Sequence, residues 1–215
     1  MKGERMRDSR QPLSIVCFGD SLTAGYQSPT RDSPVIRETP YGAFLHERLR
    51  GTAAVRVSGV CGELTSEMVA RFHRDVVATA PDYAVILGGT NDLGWNVPPS
   101  EIRGNLVAMY EAALKGGIRP VAVTVPSLRV EGDSAGFAED WVQDAVSRRE
   151  VLNRLIQEFC DPKGVPVVDL FGETAEPGTR FLVGRYSNDG LHLTTEGYRL
   201  LADLLYDRIF KHVAP

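Results

Sequence analysis

The chain has 215 residues, 43% of them hydrophobic, a size that suits one domain with a full core. A formal net charge of −4 and a pI of about 5.6 give no electrostatic case for nucleic acid or an anionic membrane surface. No apolar run approaches the roughly 20 residues of a membrane span, and Cys17, Cys61 and Cys160 match no zinc or redox spacing.

Residues 1–11 are polar and charged, without the apolar centre of a secretory signal, and are expected to form a disordered tail ahead of a single domain over 12–215. Scattered cysteines in odd number favour a reducing, cytoplasmic setting, with Cys17 and Cys61 as buried thiols in apolar stretches. Five short runs rich in Val, Ile and Leu read as buried parallel strands: Leu13–Phe18, Ala54–Ser58, Tyr83–Leu87, Pro120–Val125 and Pro166–Leu170.

Helical patterns lie between them. Thr39 is the expected N-cap of the first, with Pro40 at its first position and Tyr41, Phe44, Leu45 and Leu49 on one face. A second covers 65–79. Ser100 is the expected cap of a third, whose Ile102, Leu106, Met109, Tyr110 and Ala113 share a face and whose end is marked by Gly116. Val151, Leu152, Leu155, Ile156 and Phe159 mark a fourth, and the last runs from about Thr195 to Lys211. Residues 127–147 read equally as an active-site flap or a long connection. Strand–helix alternation of this kind gives a three-layer α/β domain.

Open α/β sheets bind ligands beyond the carboxyl ends of their strands. Those ends carry "GDS" (19–21), "SGVCGE" (58–63) and "GGTND" (88–92), and "NDGLHLT" (188–194) precedes the last helix. Ester hydrolysis needs a nucleophile, a base, a group to hold the base, and donors for the oxyanion. Ser21 is the candidate nucleophile. His192 is the candidate base, because His46 and His73 fall inside helices and His212 in the terminal tail. A short turn would let Asp189, three residues earlier, reach its imidazole, although Asp-x-x-His is a common spacing. Asn91 and Gly62 offer a side-chain amide and a backbone N–H. Asp20 and Asp92 compete with Asp189, but a carboxylate beside the serine opposes its deprotonation, so both read as loop-bonding residues. Taken singly, each of these positions reads as well as a turn former or a cap.

The four blocks "FGDSLTAGY", "GVCGE", "GGTND" and "NDGLHLT", in this order, resemble those of the GDSL, or SGNH-hydrolase, family from about Leu13 to the last helix. The second block matches mainly through Gly62, with Gly59 as a competitor. The resemblance implies a Ser21–His192–Asp189 triad, an oxyanion hole of Ser21, Gly62 and Asn91, no metal or cofactor, and a flavodoxin-like five-stranded parallel sheet in the order 2-1-3-4-5. It further implies a serine esterase acting on small to medium acyl esters through an acyl-serine, with thioesters, lysophospholipids and acetylated sugars as alternative substrates. Thr23 stands where a Gly-x-Ser-x-Gly elbow needs glycine, and no phosphate loop or dinucleotide fingerprint occurs. A catalytically dead flavodoxin-like binding module is the non-enzyme alternative. Leu22, Trp95, Phe137 and Trp141 are candidate pocket residues, each equally readable as core or rim.

Overall fold

The computed structural model describes residues 12–31, 33–130 and 135–213, with side chains from 141 onward in the last of these segments. The expected tail, 1–11, lies outside the described residues. In chain order the elements are β1 (Leu13–Gly19), α1 (Ser21–Ala24), β2 (Tyr26–Gln27), β3 (Arg37–Glu38), α2 (Tyr41–Leu49), β4 (Ala53–Gly59), α3 (Thr65–Asp75) and β5 (Tyr83–Leu87). They continue with α4 (Thr90–Gly94), α5 (Pro99–Lys115), β6 (Arg119–Val123), α6 (Ala135–Cys160), β7 (Val167–Val168), α7 (Leu170–Thr174) and α8 (Thr195–Leu205).

Five strands form a parallel sheet in the order β4-β1-β5-β6-β7, which is 2-1-3-4-5 when its strands alone are numbered. β2 and β3 make a separate antiparallel pair. Alternation along β1 sends its side chains to two cores. Leu13, Ile15 and Cys17 join Tyr41, Leu45, Tyr198, Leu201 and Leu205 of α2 and α8. Val16 and Phe18 join Met68, Phe72, Ile102, Leu106 and Ile156 of α3, α5 and α6. A strand buried on both faces has no polar side, which is why its sequence reads as a near-continuous apolar run, interrupted only by Ser14.

Several boundaries differ from expectation, each for a local reason. Pro40 takes the cap position of α2 and Pro98 that of α5, displacing Thr39 and Ser100. Thr39 Oγ1 instead accepts from Gln27 Nε2 at 2.6 Å. β7 stops at Val168 because Asp169 turns the chain into α7, accepting from the Gly172 N–H at 3.0 Å. α8 ends at Leu205 and continues as a π-helical turn, Tyr206–Phe210. α6 reaches back to Ala135, so most of 127–147 is the front of a helical connection, and 131–134 lie outside the described residues. Cys17 is buried, but Cys61 is exposed, because the loop after β4 leaves the sheet for solvent.

Candidate active site

The exit of β1 sets the position of Ser21. A Cβ on Gly19 would sit 2.1 Å from the Leu87 carbonyl oxygen, so only glycine lets β1 pass β5 this closely. Asp20 then caps α1, its Oδ1 accepting from the Leu22 N–H at 3.0 Å. Ser21 follows as the first residue of α1, 4% exposed. Burial raises the Asp20 carboxyl to about 7, against the opposing pull of the Leu22 N–H and the His192 charge.

The turn before α8 sets the base. Ser187 Oγ accepts from the Gly190 N–H at 2.9 Å and donates to the His192 carbonyl at 2.6 Å. Asp189 Oδ1 accepts from the N–H groups of Leu191 and His192 at 2.9 and 2.7 Å. Its Oδ2 lies 2.7 Å from His192 Nδ1, and His192 Nε2 lies 3.1 Å from Ser21 Oγ. A proton on Nδ1, facing the carboxylate, leaves the Nε2 lone pair for the serine hydroxyl. The Tyr26 ring lies beside the imidazole, 4.6 Å between centroids. Ser28 Oγ donates to Asp189 Oδ2 at 2.5 Å, and Asn188 Nδ2 holds the Ser28 carbonyl at 2.8 Å. Burial pushes the Asp189 carboxyl up, but the hydrogen bonds from His192, Ser28 and the two backbone N–H groups outweigh it and hold the group well below the usual carboxylate range.

The exits of β4 and β5 supply the candidate donors. Gly89, at φ +114°, turns the chain into α4, which carries Asn91 and Asp92. Asn91 Nδ2 donates to the Glu63 carbonyl at 2.9 Å, which uses one of its two N–H groups. Asp92 accepts from the Thr65 N–H at 3.0 Å and the Thr65 hydroxyl at 2.6 Å, tying α4 to the start of α3. Gly62 is exposed at φ +79° and a Cβ there would meet nothing within 4 Å, so its conformation, not its space, requires glycine. Gly59 differs: it ends β4, and a Cβ there would sit 2.2 Å from the Ala24 backbone nitrogen.

The structure therefore brings Ser21, His192 and Asp189 into one hydrogen-bonded line, with Gly62 on the loop after β4 and Asn91 on α4 joined through Glu63. Asp20 bonds its own turn, as expected, whereas Asp92 reaches across to Thr65 at the start of α3. Among the pocket candidates, Leu22 is fully buried in the core, while Trp95 and Trp141 are 78% and 61% exposed. The Phe137 side chain lies outside the described residues. Sequence reasoning missed Ser28, which lies 161 positions from Asp189 and carries no local sign of that contact. It also missed Tyr26, although its place at the end of "FGDSLTAGY" beside the serine was a usable signal. A surface depression of about 480 Å³ between α2 and α8, whose lining includes Phe44, Glu47, Arg48, Arg199, Asp203 and Tyr206, contains none of these residues.

Comparison with known proteins adds three findings. The profile of the GDSL-like Lipase/Acylhydrolase family matches residues 17–200. The chain is 26% identical to the uncharacterized lipoprotein YqeF of Bacillus subtilis, over 90% of this chain and 88% of that one, and 23% identical to an arylesterase of Vibrio mimicus, over 95% and 92%. Among solved structures, the lipase/acylhydrolase from Enterococcus faecalis superposes with a TM-score of 0.72 at 28% identity, covering 93% of this chain and 96% of that one.

Proposed function

Because the chain belongs to the GDSL-like lipase/acylhydrolase family, whose members hydrolyse ester bonds, we propose that it is a serine esterase of small to medium acyl esters working through an acyl-enzyme at Ser21. The observation that carries this reading is the two-bond line from Ser21 Oγ through His192 to Asp189, at 3.1 and 2.7 Å. His192 Nε2 takes the hydroxyl proton as Oγ attacks the ester carbonyl carbon. The negative oxygen of the tetrahedral intermediate accepts from the N–H groups of Ser21 and Gly62 and from Asn91 Nδ2. Asp189 stabilises the imidazolium that forms. His192 then gives its proton to the departing alkoxide oxygen, the C–O bond breaks, and the acyl group stays on Oγ. Water, deprotonated by the same nitrogen, attacks the acyl carbon. His192 returns that proton to Oγ as the C–Oγ bond of the second tetrahedral intermediate breaks, which releases the carboxylic acid and restores Ser21.

Similarity to the Vibrio arylesterase supports aryl esters as the first substrates to try. The deciding experiment assays the purified protein against aryl and alkyl esters, acyl thioesters, lysophospholipids and acetylated sugars, with Ser21→Ala alongside. Turnover of at least one oxygen ester, lost in Ser21→Ala, is expected. Failure to turn over any member, or undiminished turnover in the variant, contradicts the reading. No described helix is long and apolar enough to cross a membrane. A cytoplasmic location is supported by three free cysteines, Cys61 among them exposed next to Gly62. The Bacillus relative, named a lipoprotein, points the other way, and cell fractionation separates the two.

A further inference from the structure

Beneath the candidate oxyanion donors lies a buried charge that the reaction sequence does not use. Arg71 projects from α3, is 9% exposed, and sits with its guanidinium 4.1 Å over the Phe18 ring. Nε donates to the two Glu63 carboxylate oxygens at 2.7 and 2.9 Å. Nη2 donates to Glu63 Oε2 at 2.5 Å and to the Gly19 carbonyl at 2.9 Å. Nη1 donates to Ser58 Oγ and to Asp75 Oδ2, both at 2.9 Å. One planar group thus spans the last residue of β1, the end of β4 and the loop after β4. Burial works against its charge, and Glu63 and Asp75 hold that charge in place.

Glu63 is the hinge of the arrangement. Its side chain is gripped by Arg71, its own carbonyl accepts from Asn91 Nδ2 at 2.9 Å, and its neighbour in the chain is Gly62. Gly19, at the other end of the guanidinium, leads through Asp20 to Ser21. Each group that would meet the oxyanion is therefore a short covalent or hydrogen-bonded step from one rigid fork. A fork of fixed geometry can hold two carboxylates, a carbonyl and a hydroxyl in register, whereas a lysine ammonium offers a single point. A buried ion pair is a poor source of stability but a good source of fixed geometry when its hydrogen bonds are complete.

We propose that Arg71, acting through Glu63, is a positioning residue that sets the spacing of the Gly62 N–H, the Asn91 amide and Ser21. The proposal rests on the reading of Gly62 and Asn91 as oxyanion donors. Displacement of such donors by about 1 Å costs on the order of 10²-fold in rate, and the loss falls on the transition state rather than on the bound ester.

The test is a double-mutant cycle with an oxygen ester as substrate, measured on wild type, Arg71→Lys, Asn91→Ala and the double variant, with folding checked by circular dichroism and thermal melting. Arg71→Lys is expected to lower kcat by about tenfold or more with KM within roughly threefold. The acid limb of its pH profile is expected to stay in place, since the His192–Asp189 pair lies on the other side of Ser21. In the double variant the loss is expected to fall short of the product of the two single losses, because part of the Arg71→Lys loss is the placement of the Asn91 amide that Asn91→Ala has already removed. Glu63→Gln weakens the clamp from the other side while keeping the carbonyl that meets Asn91, and carries the same test if Arg71→Lys does not fold. Wild-type kcat in the folded variants, or losses that multiply with Asn91→Ala, would overturn the proposal while leaving the oxyanion reading intact. A normal kcat in Asn91→Ala would overturn the oxyanion reading itself, and this proposal with it.

Discussion

On one side of Ser21, a turn of short polar side chains holds the imidazole near solvent. Asp189 and His192 are 23% and 18% exposed in their side chains, and Ser28 and Ser187 complete the hydrogen bonding. On the other side, the loop bearing Gly62 and the short helix bearing Asn91 rest on buried charge: Arg71 on Glu63, at 9% and 8% exposure, and Asp92 on Thr65. The difference follows from the two jobs. A base that takes up and returns protons must communicate with water and retain freedom to titrate. Donors that meet a charge appearing only in the transition state are worth most when they cannot relax. Hydrogen bonds within one turn, with Ser28 reaching in from 161 positions away, serve the first purpose, and a buried ion pair and a buried carboxylate that tie separate elements together serve the second.

The comparison breaks most sharply at Asp189. Asp189→Asn removes the carboxylate that keeps the proton on Nδ1 and is expected to lower kcat by roughly 10⁴ with KM little changed. The same loss in Asp20→Asn or Asp92→Asn, with Asp189→Asn near wild type, would redraw the triad. Next comes the buried side. Asn91→Ala is expected to lower kcat by roughly 10² to 10³ at nearly constant KM, and Asn91→Asp to be at least as damaging, since it sets a carboxylate where an oxyanion forms. A lower melting temperature with undiminished kcat would leave Asn91 a loop-shaping residue only.

Smaller effects sharpen the contrast. Ser28→Ala takes one donor from Asp189, leaving more negative charge beside the imidazole. The acid limb of the pH–rate profile is expected to move up, with kcat down severalfold; an unmoved limb would remove Ser28 from the base's support. Asp20, between the two sides, tests the electrostatics of the seam through stability. Its carboxyl is raised to about 7 by burial, against roughly 3.9 in an unfolded chain. Between those values the folded protein holds a proton that the unfolded chain has released, so this group makes stability fall as pH rises, and above the upper value its effect is constant. Asp20→Asn cannot titrate. The melting temperature of the variant minus that of wild type is expected to increase from pH 5 to 8, and a difference independent of pH would contradict the shift.

What could be read from the sequence was set by the range of the forces involved. The alternation of Leu13, Ile15 and Cys17 with Val16 and Phe18, and the face of Ile102, Leu106 and Met109, are local periodicities, and both cores follow from them. The blocks at the strand ends were visible because parallel topology gathers those ends. Ser28 was not, because its bond to Asp189 exists only once β1 and the turn before α8 meet. Arg71 lies in the helix expected over 65–79 without any local sign of its role, and its guanidinium is tied to the ends of β1 and β4 only once those strands converge on it. The brief helices α1 and α4 span fewer residues than a periodic signal needs. Leu22 left core and pocket open until the cap at Asp20 turned its side chain inward.

The central claim, that Ser21 is the nucleophile activated by His192, is met most directly by reaction with a serine-directed phosphonate followed by peptide mass spectrometry. The account predicts one adduct, on the peptide carrying Ser21, formed far more slowly at acid pH and in His192→Ala. An adduct on Ser28, Ser58 or Ser187 with Ser21 unmodified, or labelling of Ser21 at an equal rate without His192, would contradict it.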